Sequence, residues 1–227
     1  YGVSLYIAPY VEEKIPYTSV SGDSMPISFW YLQHEEAIMQ EAFRQVPQHV
    51  RFLEETLGPY PFRADKYAVV RSPYLGMEHQ SAIAWGNTRG NGVFGYDQGF
   101  DALHFHELCH EWWGNMLTAQ DWKDFWIHEG FATYMEALYA GYLNGEKNYT
   151  ALMKKFMGEI RNDQPLAFHE PKTTNEMYSG DIYKKGAAVI HSLRYVMGDE
   201  KFFEFMQLLL YPDGDKLQIN GEHCHFI

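Results

Sequence analysis

Short runs of alternating apolar and polar residues, or of residues that favour β-structure, recur through the first hundred positions, and this pattern is typical of β-strands. Four segments carry it, at residues 1–10, 26–33, 66–71 and 77–86. The turn-prone sequence SVSGDS separates the first two segments and predicts a hairpin. One helix is predicted from about His34 to Leu57, interrupted or kinked at Pro47, because proline has no amide proton for a helix interior.

From Asp101 onward the apolar positions recur at helical spacing. This half predicts helices over about 101–113, 125–143, 148–161, 181–198 and 199–211. Asp101, Asp181 and Asp199 are the predicted N-caps, since an aspartate side chain can accept hydrogen bonds from the free amides of a first turn. Strands followed by helices predict the α+β class.

Composition narrows the functions that this chain could have. Hydrophobic residues make up 46% of it, which suits a folded globular domain, and the net charge of −12 argues against nucleic-acid binding. No apolar run is long enough for a membrane span. Cys109 is expected to be a small buried thiol, and whether it meets Cys224 is open, as is the cellular compartment.

The segment from His106 to His110 has the pattern H-E-x-x-H. Residues four apart share one face of a helix, so both imidazoles could reach one zinc ion, and Glu107 could reach a water bound to it. Chance would produce this pattern in roughly one of twenty or thirty chains of this composition, so its context matters. His104 and His128 are interpreted as ordinary histidines.

A third ligand is available on the next predicted helix. Glu129 follows His110 after eighteen residues, and an antiparallel helix would bring it back to the first. Three protein ligands with one open position is the arrangement of a catalytic zinc. Glu136 falls on the same face as Glu129, where it could orient a liganding imidazole or be a solvated carboxylate; the pattern does not separate these.

The segments HELCHEWWGN and WIHEGFATYMEALY resemble the gluzincin signature of the aminopeptidase N family of zinc metallopeptidases, which includes the leukotriene hydrolases. The resemblance implies that His106, His110 and Glu129 bind one zinc ion and that Glu107 is the general base.

The same resemblance implies a thermolysin-like fold, with a small mixed sheet followed by a mainly helical half. We expect one catalytic domain over residues 1–227, β-rich with one helix over 1–100 and helical over 101–227. The flanking domains usual in the family are expected to be absent, and the chain is expected to be a fragment of a longer protein.

The sequence Leu75-Gly76-Met77-Glu78-His79 stands where the family has G-x-M-E-N. The resemblance implies that Glu78 binds the free α-amine of the peptide and that Gly76 and Met77 line the substrate cleft. Leu75 and His79 depart from the family's Gly and Asn, which affects the shape of the cleft. Without the zinc motif, Glu78 would be interpreted as an exposed strand carboxylate.

A second family element is Tyr183 followed by Lys185 and Gly186. The resemblance implies that the Tyr183 hydroxyl stabilises the oxyanion of the reaction and that Tyr178 is an accessory tyrosine. The chain has seventeen tyrosines, so position alone distinguishes Tyr183.

The function implied is that of an aminopeptidase acting on peptides with a free N-terminus. Two alternatives remain open: a zinc endopeptidase of the thermolysin type, which shares the zinc chemistry, and a non-catalytic peptide-binding module. The preferred N-terminal residue is not predicted.

Overall fold

Strands occupy the first part of the chain and helices the remainder. The computed structural model describes residues 2–212 and 225–226, so Cys224 lies outside the described residues. The strands are β1 (Tyr10–Ile15), β2 (Ile27–Leu32), β3 (Tyr67–Arg71), β4 (Gly76–Met77), β5 (Ile83–Trp85), β6 (Leu117–Thr118) and β7 (His225–Phe226). The helices are α1 (Glu36–Phe43), α2 (Val46–Leu57), α3 (Ala102–Cys109), α4 (Trp126–Asn144), α5 (Glu146–Gly158), α6 (Thr174–Met177), α7 (Gly180–Met197) and α8 (Asp199–Leu210).

The main sheet has five strands in the order β1-β2-β3-β5-β4. β1 pairs antiparallel with β2, while β2, β3 and β5 are parallel neighbours, and β4 returns antiparallel beside β5. The predicted α+β class, with a small mixed sheet before a helical half, is therefore confirmed. β6 and β7 form a separate parallel pair.

The predicted first strand is misplaced. Residues 2–9 are outside any strand, and β1 begins only at Tyr10. Val3, Leu5 and Ile7 are almost fully exposed, so their alternation does not mark a face packed on the core. The predicted hairpin is present, but its first strand is β1 and not residues 1–10. β1 and β2 pair antiparallel, from Tyr10 with Leu32 to Ile15 with Ile27.

Two further elements are each divided. The helix predicted over residues 34–57 is α1 and α2, and Pro47 lies in the first turn of α2, where its missing amide proton costs no hydrogen bond. The strand predicted over residues 77–86 is the β4–β5 hairpin. The turn between them contains Ser81 in the left-handed region, at a φ of 53°.

Of the three predicted caps, one is confirmed. The Asp101 carboxylate accepts a hydrogen bond from the His104 amide at the start of α3. Asp181 is wrong as a cap because it lies inside α7, where its carboxylate instead accepts hydrogen bonds from the amides of Arg161 and Asn162. Asp199 is also wrong, since it is the first residue of α8 and pairs with Arg194.

The core is rich in stacked aromatic rings. The Trp113 ring lies parallel to Phe131 with centroids 3.9 Å apart, and Phe105 stacks on Tyr139 at 4.5 Å. These pairs join α3 and the turn after it to α4, which fixes the two segments that carry the H-E-x-x-H pattern and Glu129. Cys109 is buried, as predicted. Among the described helices, none has the length and hydrophobicity that a bilayer span requires.

Candidate active site

Three predicted metal ligands meet between α3 and α4. The Nε2 atoms of His106 and His110 are 3.1 Å apart, and the Glu129 carboxylate lies 3.1 Å from the first and 3.4 Å from the second. α3 ends at Cys109, short of the predicted residue 113, but His110 keeps a helical backbone conformation. The spacing of four residues therefore still places both imidazoles on one face.

Hydrogen bonds behind the two rings determine which nitrogen faces the centre. The Nδ1 of His110 lies 3.0 Å from the Trp113 carbonyl, which can only accept, so Nδ1 carries the proton. The Nδ1 of His106 lies 2.8 Å from Glu136 and donates to it. When neutral, both rings thus direct an Nε2 lone pair into the same gap. Two facing lone pairs need a cation between them, and two imidazoles with one carboxylate suit zinc.

The charges around this gap also favour a cation. Burial would lower the pKa of His106, but hydrogen bonds with Glu129 and Glu136 outweigh burial and raise that pKa well above its usual value. At His110, burial is outweighed by the charges of Glu78 and Glu129, and its pKa is raised to about 9. Carboxylates that keep protons on two buried imidazoles can hold a divalent ion in the place of those protons.

Glu107 lies beside the ligands and against β4. Burial, and then the charge of Glu78, raise the pKa of Glu107 above its ordinary value. A Cβ at Gly76 would lie 2.6 Å from the Glu107 carboxylate and 2.8 Å from Leu103. Glycine at this position is what leaves room for the Glu107 side chain.

A cleft of about 480 Å³ opens over these residues. Leu75, Gly76, Met77 and Glu78 form one wall of it. Donor atoms of Glu78, Glu107 and His110 lie within 4.8 Å of one another. The predicted amine-binding carboxylate is thus brought next to the metal ligands.

His79, the other departure from the family pattern, is not among the lining residues. Its Nδ1 lies 2.5 Å from the Tyr6 hydroxyl, which also donates to the Ala82 carbonyl at 3.1 Å. The substitution at Leu75 therefore faces the cleft, whereas the one at His79 ties the turn after Glu78 to the N-terminal segment.

Tyr178 and Tyr183 line the cleft from the side of α7. The Tyr183 ring stacks on His106 with centroids 6.0 Å apart. Burial, and then the charge of Glu129, raise the pKa of Tyr183 well above its usual value, so its hydroxyl keeps a proton to donate. Tyr178 is about half exposed at the edge of the cleft.

The helices that carry Glu129 and Tyr183 cross at two glycines. A Cβ on Gly130 would lie 3.0 Å from the Gly186 Cα, and one on Gly186 would lie 2.9 Å from the Gly130 Cα. Gly186 completes the motif that begins at Tyr183. The close crossing of the two helices explains why this position of the motif is a glycine.

The sequence assigned no role to several residues that support the site. Glu111 accepts hydrogen bonds from the Ser81 amide and the Tyr60 hydroxyl, both at 2.9 Å, and Asn115 donates to the Glu78 carbonyl at 3.0 Å. They hold the turn that follows Glu78. Glu111 directly follows the H-E-x-x-H segment and Asn115 lies five residues after His110, and this proximity is the sequence signal for both.

A loop before α3 adds two aromatic residues. Phe94 and Tyr96 line the cleft, and the Tyr96 hydroxyl donates a hydrogen bond to Glu136. This loop, residues 86–101, contains five glycines, and no sequence signal beyond a place in it distinguishes Phe94 or Tyr96.

The two histidines interpreted as ordinary are buried and bonded within the protein. His104 contacts His49 at 2.8 Å and the Tyr67 hydroxyl at 2.6 Å, and His128 accepts from the Ala119 amide at 2.8 Å.

Comparison with known proteins identifies the family. The model of the peptidase family M1 domain matches residues 42–214. The chain belongs to peptidase family M1. The resemblance inferred from the zinc motif is thereby confirmed for most of the chain.

The chain is also similar in sequence to individual aminopeptidases. Aminopeptidase N of Homo sapiens is 31% identical over 109 residues, which are 43% of this chain and 11% of that protein. Glutamyl aminopeptidase of Bos taurus is 26% identical over 206 residues, or 82% of this chain and 21% of that protein. The family M1 chain thus spans only a minor part of the length of these curated relatives.

A solved structure shows the same fold. The M1 zinc metallopeptidase from Deinococcus radiodurans superposes with a TM-score of 0.74 and 23% identity, covering 95% of this chain and 46% of that one.

Proposed function

We propose that this M1 chain is a zinc-dependent aminopeptidase that hydrolyses the first peptide bond of peptides with a free amino terminus. The observation that carries the proposal is the position of Glu78, whose carboxylate lies within 4.8 Å of donor atoms of Glu107 and His110. An ammonium group held there would place the first peptide bond of a substrate beside the metal ligands. The relatives named as aminopeptidases agree with this specificity.

His106, His110 and Glu129 would hold the zinc ion. When bound, zinc supplies a water molecule with a pKa lowered to about 7 and polarises the carbonyl group of the substrate. Glu136 accepts the Nδ1 proton of His106 and so keeps the Nε2 of that ring free for the metal.

The residues around the metal ligands would carry out proton transfer, oxyanion stabilisation and substrate binding. Glu107 takes the proton of the attacking water and passes it to the leaving amine. Tyr183 donates a hydrogen bond to the carbonyl oxygen as that oxygen gains negative charge, and one such donor lowers the barrier by about 3 kcal/mol. Tyr178 extends this side of the cleft as an accessory residue. Gly76 and Met77 form the opposite wall, along which the peptide lies.

The proposed catalytic unit is the whole of residues 1–227 as one domain. The sheet supplies Glu78 through β4, and the helical half supplies the metal ligands, Glu107 and Tyr183. Neither the sheet nor the helical half alone holds the complete site. The proposed substrate is a peptide with a free amino group.

The test compares one peptide with a free or an acetylated amino terminus, using zinc-loaded wild type and Glu78→Gln. The wild type is expected to cleave only the free peptide. Glu78→Gln removes a charged hydrogen-bond partner and keeps the shape, so kcat/KM for the free peptide should fall about 10- to 100-fold. Glu55→Gln, at an exposed glutamate on α2, is the matched control and should retain wild-type activity.

Cleavage of the acetylated peptide, or cuts inside the chain, would replace this proposal with the endopeptidase. Zinc binding with no cleavage of either peptide would instead favour a peptide-binding module.

A further inference from the structure

Tyr96 lies in the glycine-rich loop before α3, and its hydroxyl reaches a side chain behind the metal ligands. Its hydroxyl donates to one oxygen of Glu136, and the other oxygen of Glu136 accepts from the Nδ1 of His106 at 2.8 Å. The chain of contacts therefore runs from Tyr96 through Glu136 to a zinc ligand.

The carboxylate of Glu136 depends on both donors. Glu136 is 2% exposed, so water cannot replace a lost partner without entering the protein. A buried carboxylate oxygen left without a donor is costly, and the group would turn to find one. Because the same group orients the His106 ring, such a turn would reach the Nε2 atom that faces the metal.

The hydroxyl of Tyr96 is well suited to this task. Burial, and then the charge of Glu136, raise the pKa of Tyr96 well above its usual value, so it remains a donor at all physiological pH values. Its ring packs edge-on against Phe156 with centroids 5.6 Å apart, which restricts the position of the ring.

The loop that carries Tyr96 contains several glycines. Gly95 and Gly99 both have positive φ, and a Cβ at either would meet no heavy atom within 4 Å among the described residues. Phe94 places its ring 6.0 Å from that of His106, edge to face. The loop thus closes over the metal ligands through these two aromatic side chains.

We infer that Tyr96 is a positioning residue of the zinc site, which acts by holding Glu136 in the orientation that fixes the His106 ring for the metal. The inference rests on the proposed zinc site. It assigns no contact between Tyr96 and the ion.

The experiment measures zinc affinity by competition with a chelating dye, without any substrate. The variants are Tyr96→Phe, Glu136→Gln and the double variant Tyr96→Phe/Glu136→Gln. Tyr142→Phe is the matched control, because it removes a hydroxyl from an exposed tyrosine of α4 outside the cleft. Thermal unfolding of each metal-free variant shows whether the fold is retained.

Tyr96→Phe is expected to raise the Kd for zinc about tenfold, which is the effect typical of partners behind a metal ligand. Glu136→Gln should raise it by at least as much. If Tyr96 acts through Glu136, the double variant will have nearly the same Kd as Glu136→Gln alone, since coupled residues are not additive. Tyr142→Phe should bind zinc as the wild type does.

Two results would overturn the inference while leaving the zinc site intact. One is a Kd for Tyr96→Phe within twofold of the wild-type value. The other is a full tenfold loss from Tyr96→Phe in the Glu136→Gln background, which would mean that Tyr96 acts by another path. Failure of wild type itself to bind zinc would overturn the proposed function and this inference with it.

Discussion

The crossing of α4 and α7 allows a sharp test of how the fold positions the active site. Gly186→Ala adds one methyl group at the point where a Cβ would lie 2.9 Å from the Gly130 Cα and 3.3 Å from the Trp126 carbonyl oxygen. Carbon atoms pack favourably at about 3.5–4.0 Å, so the helices must separate by roughly 0.6–1 Å. Both opposing atoms belong to the backbone, and neither can rotate away.

The magnitude follows from two opposing effects. Overpacking of a tight contact costs about 2–3 kcal/mol, because here the backbone must move. Replacing glycine by alanine inside a helix returns about 1 kcal/mol. The net loss of about 1–2 kcal/mol should lower the Tm by roughly 2–8 °C for a domain of this size.

Activity should fall together with stability. α7 carries Tyr183 one turn before Gly186, and α4 carries Glu129 next to Gly130. Displacing one helix against the other moves Tyr183, the proposed oxyanion donor, relative to a metal ligand, and a shift near 1 Å can cost about 100-fold in rate. We expect kcat on an aminoacyl chromogenic substrate to fall at least tenfold.

The assay pairs thermal unfolding with steady-state kinetics on the zinc-loaded protein. Gly158→Ala is the control, since it lies at the end of α5 and its Cβ would meet no heavy atom within 4 Å among the described residues. That variant should unfold at or slightly above the wild-type temperature with unchanged kcat. Equal Tm and equal kcat for the two alanine variants would refute the argument from the crossing.

Two further predictions concern the chemistry of the site. Tyr183→Phe should lower kcat about 100-fold or more with little change in KM, because the hydroxyl is needed as charge develops on the carbonyl oxygen; an equal loss in substrate affinity would contradict this. Zinc binding at pH 7.5 should release at least one proton, since the pKa of His110 is raised to about 9 in the metal-free protein, whereas zinc needs both rings neutral. The affinity for zinc should therefore increase as the pH rises toward 9. A pH indicator in weak buffer measures the proton release, and the absence of any release would refute this prediction.

The sequence predicts the metal ligands well because their geometry is local. His106 and His110 are related by one helical turn, and Glu129 belongs to the next long helix. Aromatic packing between these segments, as in Trp113 on Phe131, then brings the ligands together. The ends of the helices are harder to predict from the sequence. Asp181 and Asp199 bond to partners other than the first-turn helix amides that their positions predict.

Long-range contacts explain what the residues alone did not reveal. Tyr96 and Glu136 are forty residues apart, and their hydrogen bond depends on how a glycine-rich loop closes over α4. The pairing of Tyr6 with His79 spans seventy-three residues and depends on an N-terminal segment that periodicity had placed in a strand. Neither pairing leaves a periodic or spaced pattern in the sequence.

The same reasoning distinguishes the two departures from the family motif. As substitutions in one short segment, Leu75 and His79 look equivalent in the sequence. In the structure β4 ends at Met77, and the chain then turns, so Leu75 remains on the cleft while the His79 ring contacts Tyr6. A change at Leu75 therefore alters the lining of the proposed substrate cleft itself, whereas a change at His79 alters the turn that follows Glu78.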